Sequence, residues 1–447
     1  MLMTVILFAI PLFFLLIGIE LVVDYKRKTG YYRTNDAITS LSAGVLSRVV
    51  AIGHQLIPFT VYIVVFDAVA LFTLSESWWV WVLAFIAYDF FYYWNHRMGH
   101  EMSVLWAAHV VHHSSEDYNL TTALRQTSGA LFSWIFYLPL AFVGFPPEMI
   151  ITVGALNLVY QFWVHTQHIG TLGWMEYVFV TPSNHRVHHA QNRVYIDKNY
   201  GGVFILWDRL FGTFIPELDE EPPVYGIRGA LKSFNPIWAN LQIYRQLAKD
   251  SYYTHSWKDK FRVWFGRTGW RPEDVTKRFP QEKKPLSEFE KYNPTLNKWV
   301  TQYSLAQHII MLGVTLYLLL NIATLSATQQ IIAVVTVVVM SVQNGFILSQ
   351  STTALKLEAP RLLLFSLLWL STSLAMPSMI FTASCLLSLG LLVIAFKHAN
   401  KPPLAGGKSD LNLSQNSSIQ TSVQNSNLKS HSLAEKGVLP TEPDNLA

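Results

Sequence analysis

The sequence predicts an all-α polytopic membrane protein whose helical spans are topped by a cytoplasmic, histidine-rich helical cap holding a dimetal site. Three observations predict it. First, 51 % of the 447 residues are hydrophobic and only 14 % are charged, against roughly 25 % charged in soluble domains. Second, several apolar runs approach about 20 residues, the length that spans a bilayer. Third, ten of the fifteen histidines fall between His96 and His189 in a repeated spacing. The formal net charge of +4 is too small to point to nucleic acid. The single cysteine, Cys385, lies in an apolar run, so no intramolecular disulfide can form and the redox compartment stays open.

The first apolar run covers about Thr4 to Val23 and is followed by Lys26, Arg27, Lys28 and Arg33. Basic residues flank the cytoplasmic end of a span, which places this loop in the cytoplasm. No basic residue precedes the run, and Glu20 lies near its end, so it reads as an anchor rather than a cleaved signal peptide. The stretch from about Leu41 to Leu74 is too long for one straight span. It fits either a long tilted helix or a broken pair. A third run, Trp78 to Trp94, opens on an aromatic cluster suited to the far interface and ends at His96, which therefore faces the cytoplasm. Leu131–Phe145 and Met149–Val164 are shorter runs split by Gly144-Phe145-Pro146-Pro147. That pattern predicts a helical hairpin that dips in and returns to the side of His96.

From about Gly170 to Thr301 the chain is polar, basic and aromatic, as a cytoplasmic region lying against the headgroups would be. Four apolar runs follow, near 303–322, 328–348, 361–377 and 379–396. An even number returns the chain to the cytoplasm, in agreement with Lys397, His398 and Lys401. The end of the chain is rich in Ser, Asn and Gln and is expected to be disordered. The chain thus divides into N-terminal membrane spans (1–80), a histidine-rich core (81–215), a cytoplasmic amphipathic region (216–302), C-terminal membrane spans (303–397) and a disordered tail (398–447).

The histidines group as His96-Arg-Met-Gly-His100, His109-Val-Val-His112-His113, His165-Thr-Gln-His168 and His185-Arg-Val-His188-His189. Residues at i and i+4 share a helix face. His96 and His100 can therefore share a metal, as can His109 with His113 or with His112. Neutral imidazole is the commonest metal ligand. Isolated histidines (His54, His255, His308, His398 and His431) read as ordinary polar residues. The clusters do not, because a buried polar group without a partner costs roughly 1–3 kcal/mol, and packed imidazoles repel as they protonate. A metal removes both costs.

The candidate ligands are His96, His100, His109, His112, His113, His165, His185, His188 and His189; His168 is left unassigned. Their number argues for two ions with open positions. The clusters contain no cysteine, unlike many structural zinc sites. All-nitrogen sites suit iron, zinc, copper or nickel, and iron is the ion that activates dioxygen. Asp89, buried before His96, reads as a carboxylate that orients a ligating imidazole. Glu101 has three readings on spacing alone: a ligand, a proton carrier or a surface residue.

These motifs resemble those of the fatty acid hydroxylase superfamily of membrane diiron oxygenases, which includes sterol desaturases. Its HxxxH pair and two HxxHH triplets are met by His96/His100, His109/His112/His113 and His185/His188/His189. Within it, five stretches are similar to the alkylglycerol monooxygenase branch. They are His96 to Glu101, His112 to Gln126, Pro182 to His189, Ile196 to Gly201 and Trp207 to Gly212. This likeness covers roughly residues 80–215.

The resemblance implies two iron ions, tetrahydrobiopterin as reductant and dioxygen as co-substrate. It also implies cleavage of alkylglycerol ether lipids to a fatty aldehyde and a glycerol derivative. It assigns the eight motif histidines to iron and gives Glu101 a part in the reaction. No motif marks a pterin site. The alternative is a fatty acyl or sterol hydroxylase or desaturase with the same diiron site, fed by a redox partner. A metal transporter would place ionisable ligands midway along its spans, whereas these histidines lie at span ends and in loops. The expected partners are the membrane and a lipid drawn from it. Moving an alkyl tail into water costs about 0.8 kcal/mol per CH₂, so an apolar groove is expected between the Trp78–Trp94 helix and the 131–164 hairpin.

Overall fold

A bilayer offers no partner for a free backbone N–H or C=O, so apolar runs within it close their hydrogen bonds as helices. The computed structural model describes residues 2–54, 56–129, 132–281 and 284–399; the predicted disordered tail beyond residue 399 lies outside them. Among the described residues no strand forms, only isolated bridges such as Phe179 with Phe204.

The N-terminal part comprises α1 (Leu2–Arg27), α2 (Thr34–His54) and α3 (Leu56–Val69). The 41–74 stretch is thus the broken pair, and Pro58 sits in the first turn of α3, where a missing N–H costs nothing. Helix α4 (Trp78–Glu101) continues beyond Trp94 and carries His96 and His100. It is followed at once by α5 (Ser103–His113) and, after a loop, the single turn α6 (Leu120–Ala123).

The hairpin has unequal arms. Its first arm is a 3₁₀ turn, Ser133–Tyr137, running into the short α7 (Leu138–Val143); its second is α8 (Pro147–Trp163). Leu131 lies outside the described residues. At the bend, Gly144 has φ +110°, and a Cβ there would lie 2.0 Å from the Phe72 carbonyl oxygen. Only glycine fits that turn. Pro147 then opens α8 with φ already helical.

The polar region supplies α9 (Pro182–His188), α10 (Leu206–Leu210), α11 (Pro236–Tyr253), α12 (Trp257–Phe265) and α13 (Glu273–Arg278). Helix α11 packs along α5 and so backs the histidines from outside. The C-terminal bundle is α14 (Lys298–Asn321), α15 (Ala327–Leu348), α16 (Thr352–Leu370) and α17 (Ala375–Ala399). Its apolar core includes Tyr303, Met311, Leu318, Val337, Leu362 and Phe381, and takes in Val45 and Val49 of α2. Helix α2 therefore joins this bundle to the histidine-rich half. A second apolar core, with Val80, Ala84, Leu140, Met149 and Val153, binds α4 to the hairpin.

Among the described residues, four helical segments are long and apolar enough to cross a membrane: Thr34–Gly53, Lys298–Asn321, Ala327–Leu348 and Ala375–His398. Helix α16 departs from the expected 361–377 run. It starts at Thr352, where the Ser351 side chain accepts from the Ala354 N–H, and ends at Leu370. Its polar turn is buried because Arg361 Nε donates to Glu358 at 2.6 Å and Nη2 to Gln307 at 2.7 Å. Tyr303 Oη donates to the same carboxylate at 2.9 Å, and Gln307 in turn donates to Ser388.

Candidate metal centre

The nine predicted histidines meet in two groups. His96, His100, His109, His113 and His188 form one; His112, His165, His185 and His189 form the other. In each group the candidate ligand nitrogens all lie within 4.8 Å of one another. The division follows helix periodicity rather than motif membership. His109 and His113, at i and i+4, face the first group, while His112 turns to the second. His185 and His189 repeat this on α9, with His188 turned the other way. Of the two pairings open for His109 on spacing, the structure has the one with His113.

Four of the rings are held by backbone carbonyls. Nδ1 of His96 donates to the Tyr200 carbonyl at 2.7 Å, and that of His112 to Arg125 at 3.0 Å. His165 donates to Gln161 at 2.8 Å and His188 to Lys198 at 3.0 Å. A carbonyl only accepts, so each of these Nδ1 atoms carries the proton, and each Nε2 is left as a lone pair pointing inward. His112 Nε2 and His165 Nε2 then face each other at 3.2 Å, lone pair to lone pair. No proton is available between two neutral rings of this tautomer. Burial removes the charged alternative: it pushes His96 and His112 down to about 4, and the other seven well below the ordinary histidine value.

The arrangement therefore asks for cations. Nε2 of His100, His188 and His189 is also buried without a partner. Nitrogens bound cis to one ion at about 2.1 Å lie about 3 Å apart, and neighbouring Nε2 atoms here are 3.0–3.2 Å apart. The residues present fit two nitrogen-bound metal ions.

The remaining site candidates stand elsewhere. Glu101 belongs to neither group; its carboxylate accepts from Arg97 Nε at 2.9 Å on the rim beside His100. His168 turns away, with Nε2 3.9 Å from Asp24. Asp89 does not orient an imidazole directly, which corrects the sequence expectation. It lies two helical turns before His96, about 10 Å along the axis. Its carboxylate instead accepts from Asn157 Nδ2 (2.7 Å), Val203 N (2.8 Å), Phe204 N (3.0 Å) and Trp207 Nε1 (3.0 Å). The carbonyl acceptors at Tyr200, Arg125, Gln161 and Lys198 were missed, because a backbone oxygen has no side-chain signature. Only the loops between motifs hinted at them.

The predicted groove is present between α4 and α8. It holds about 300 Å³ and is lined by Trp81, Val82, Phe85, Ile86, Val153, Leu156 and, from the loop before α10, Phe204.

The fatty acid hydroxylase family profile matches residues 81–213. Alkylglycerol monooxygenase from Xenopus tropicalis is 37 % identical over 79 % of both chains. Its Homo sapiens counterpart is 39 % identical over 81 % of both. A shorter likeness, 30 % identity over 30 % of this chain and 41 % of the relative, joins it to an ornithine lipid hydroxylase of Rhizobium tropici. No solved structure matches. With identity of this degree sustained over about four fifths of both partners, the chain belongs to the alkylglycerol monooxygenase family.

Proposed function

We propose that this protein is a membrane monooxygenase that hydroxylates the carbon next to the ether oxygen of an alkylglycerol, with two iron ions held by the nine histidines and a tetrahydropterin as reductant. The observation that carries the reading is the facing lone pairs of His112 and His165 inside a cage of neutral, buried imidazoles. Iron bound there would supply the activation of dioxygen. The reaction adds one oxygen atom to the C–H bond and reduces the other to water with two electrons and two protons. The resulting hemiacetal breaks down to fatty aldehyde and a glycerol derivative. The ether oxygen favours this carbon because its lone pairs stabilise charge or spin beside it.

The chain's own residues do the rest. The Tyr200, Arg125, Gln161 and Lys198 carbonyls fix four ring orientations, so ligand geometry is set before metal arrives. Burial keeps the imidazoles neutral and water scarce. Glu101 and Arg97, paired on the rim beside His100, are placed to hold a polar head or pass a proton. The apolar groove keeps the tail out of water.

The cage faces the cytoplasm in this reading, with residues 81–215 as the oxygenase core between the two sets of spans. The basic loop after α1 lies on the cage side: Arg33 Nε pairs with Asp117 at 2.8 Å, and Arg27 Nη1 donates to the His168 carbonyl. Basic flanks mark the cytoplasmic side. Membranes carrying the protein, incubated with an alkylglycerol with and without tetrahydropterin, test the proposal: fatty aldehyde forms only with both. Iron-loaded protein that makes no aldehyde refutes it; hydroxylated acyl or sterol products would assign the alternative substrate.

A further inference from the structure

The loop between α9 and α10 touches both the cage and the groove. At one end, the Tyr200 carbonyl accepts the His96 Nδ1–H. At the other, Phe204 closes the groove, its ring 6.2 Å from Phe85 and 5.7 Å from Phe179. Two buried carboxylates pin the strip between. Asp208 accepts from the N–H groups of Tyr200 and Gly201, both at 2.7 Å, and Asp89 accepts from those of Val203 and Phe204. No side chain fits at Gly201 or Gly202. A Cβ at Gly202 would lie 2.7 Å from both Asp89 Oδ1 and the Tyr92 ring, and one at Gly201 would lie 2.6 Å from the Phe204 carbonyl.

Asp89 also reaches the second histidine group. Asn157 donates to Asp89, Gln161 Nε2 donates to Asn157, and the Gln161 carbonyl accepts the His165 Nδ1–H. One carboxylate thus supports the groove floor, His96 of the first group and His165 of the second.

We propose that the groove between α4 and α8 seats the alkyl chain of one bilayer lipid, that Phe204 sets how much chain it accepts, and that Asp89 is the positioning residue registering groove to cage. The inference rests on the substrate reading above. Three observations commit the groove to an alkyl chain. Every lining side chain is apolar, and Val82, Ile86 and Leu156 are exposed along its open side. The groove wall and the cage share helix α4. From Val82 and Ile86 to His96 that helix rises about 15–21 Å, the reach of a long alkyl chain and beyond that of a short one. A lipid lying in the groove with its head at the cage would bring the carbon beside its ether oxygen to the imidazoles.

The experiment uses the full-length protein in lipid nanodiscs and a hexadecylglycerol with a diazirine at the chain terminus. Irradiation and peptide mapping should place the label on the Trp81–Ile86 and Val153–Leu156 peptides, with at least fivefold loss of label under excess unlabelled hexadecylglycerol. Label spread evenly over lipid-facing helices, or not competed, overturns the proposal. In parallel, Leu156→Trp and Phe204→Trp are assayed on alkylglycerols of eight to eighteen carbons. The expected result is a KM that rises tenfold or more for the long chains relative to the shortest, with bound metal unchanged. A wild-type chain-length profile in both variants overturns Phe204 and the groove as the determinants. The two readings fail separately. Competed labelling without aldehyde from any alkylglycerol refutes the activity and keeps the groove; aldehyde without competed labelling keeps the activity and refutes the groove.

Discussion

Replacing Asp89 by Asn changes one atom and tests the hub. Four N–H donors converge on the two oxygens of Asp89, the number of lone-pair sites an ionised carboxylate offers. In Asp89→Asn one oxygen becomes an NH₂ group that cannot accept. If it takes the Oδ2 position, the Phe204 N–H and the Trp207 indole N–H both lose their acceptor and face another donor. Each unpaired buried donor costs about 1–3 kcal/mol, so the change should cost about 2–6 kcal/mol. That is a large part of the 5–15 kcal/mol that holds a typical fold. The loss should appear locally first. Freed Val203–Phe204 backbone lets the Tyr200 carbonyl drift from His96, and a disturbed Asn157 loosens Gln161 and His165. The assay is metal content per chain and thermal unfolding in detergent, beside turnover. Asp89→Asn should unfold well below the parent and retain less metal. Trp207→Phe, which removes one donor and keeps the packing, should cost about half as much and report even where the Asn variant fails to fold. Parent-like unfolding and full metal in both variants would refute the hub.

The other predictions concern the cage and its rim. His112→Ala and His188→Ala each remove one group's ligand, so bound metal should fall and turnover should vanish, whereas exposed His255→Ala leaves both unchanged; elemental analysis with the aldehyde assay decides. In metal-stripped protein the imidazole values are depressed, so the stability they confer is fully present above about pH 6.5 and is lost as pH falls toward 4. With His96 and His112 displaced from 6.5 to about 4, the full loss is on the order of 3 kcal/mol for each, and greater stability at pH 5 than at pH 7.5 would contradict the assignment. Gly202→Ala pushes a methyl into Asp89 and Tyr92 and should lower stability and metal retention, whereas Gly170→Ala meets open space; equal melting curves would count against the packed strip. Glu101→Gln should keep its metal and change stability by less than about 1 kcal/mol, because its partner Arg97 is on the partly exposed rim; loss of an ion on this change would make Glu101 a ligand.

Much of the centre was legible because imidazoles at i and i+4 advertise a shared face. His96 with His100, His109 with His113 and His185 with His189 all follow that rule. Helix geometry also told that Asp89 lies on the His96 side of α4, two turns before it, but not which groups it would bind. Two of its four partners are backbone amides of a loop more than a hundred residues away, and an amide looks the same in every sequence. Helix α16 was misjudged for a related reason. Hydropathy follows apolar content, whereas the helix ends depend on a Ser351 cap and on a glutamate that finds its arginine three residues on.

That ion pair bears on how the chain enters the bilayer. A single charge at the centre of an inserting helix costs about 2.5–3.5 kcal/mol on insertion scales. Glu358 and Arg361 lie one turn apart on the same helix, so their charges can cancel before any neighbouring helix is in place. Helix α16 then carries only the charge of Lys356, one turn from its N-terminal end, where a lysine side chain can reach the interface. Gln307 and Tyr303, emplaced earlier on α14, then meet a finished pair rather than a bare ion.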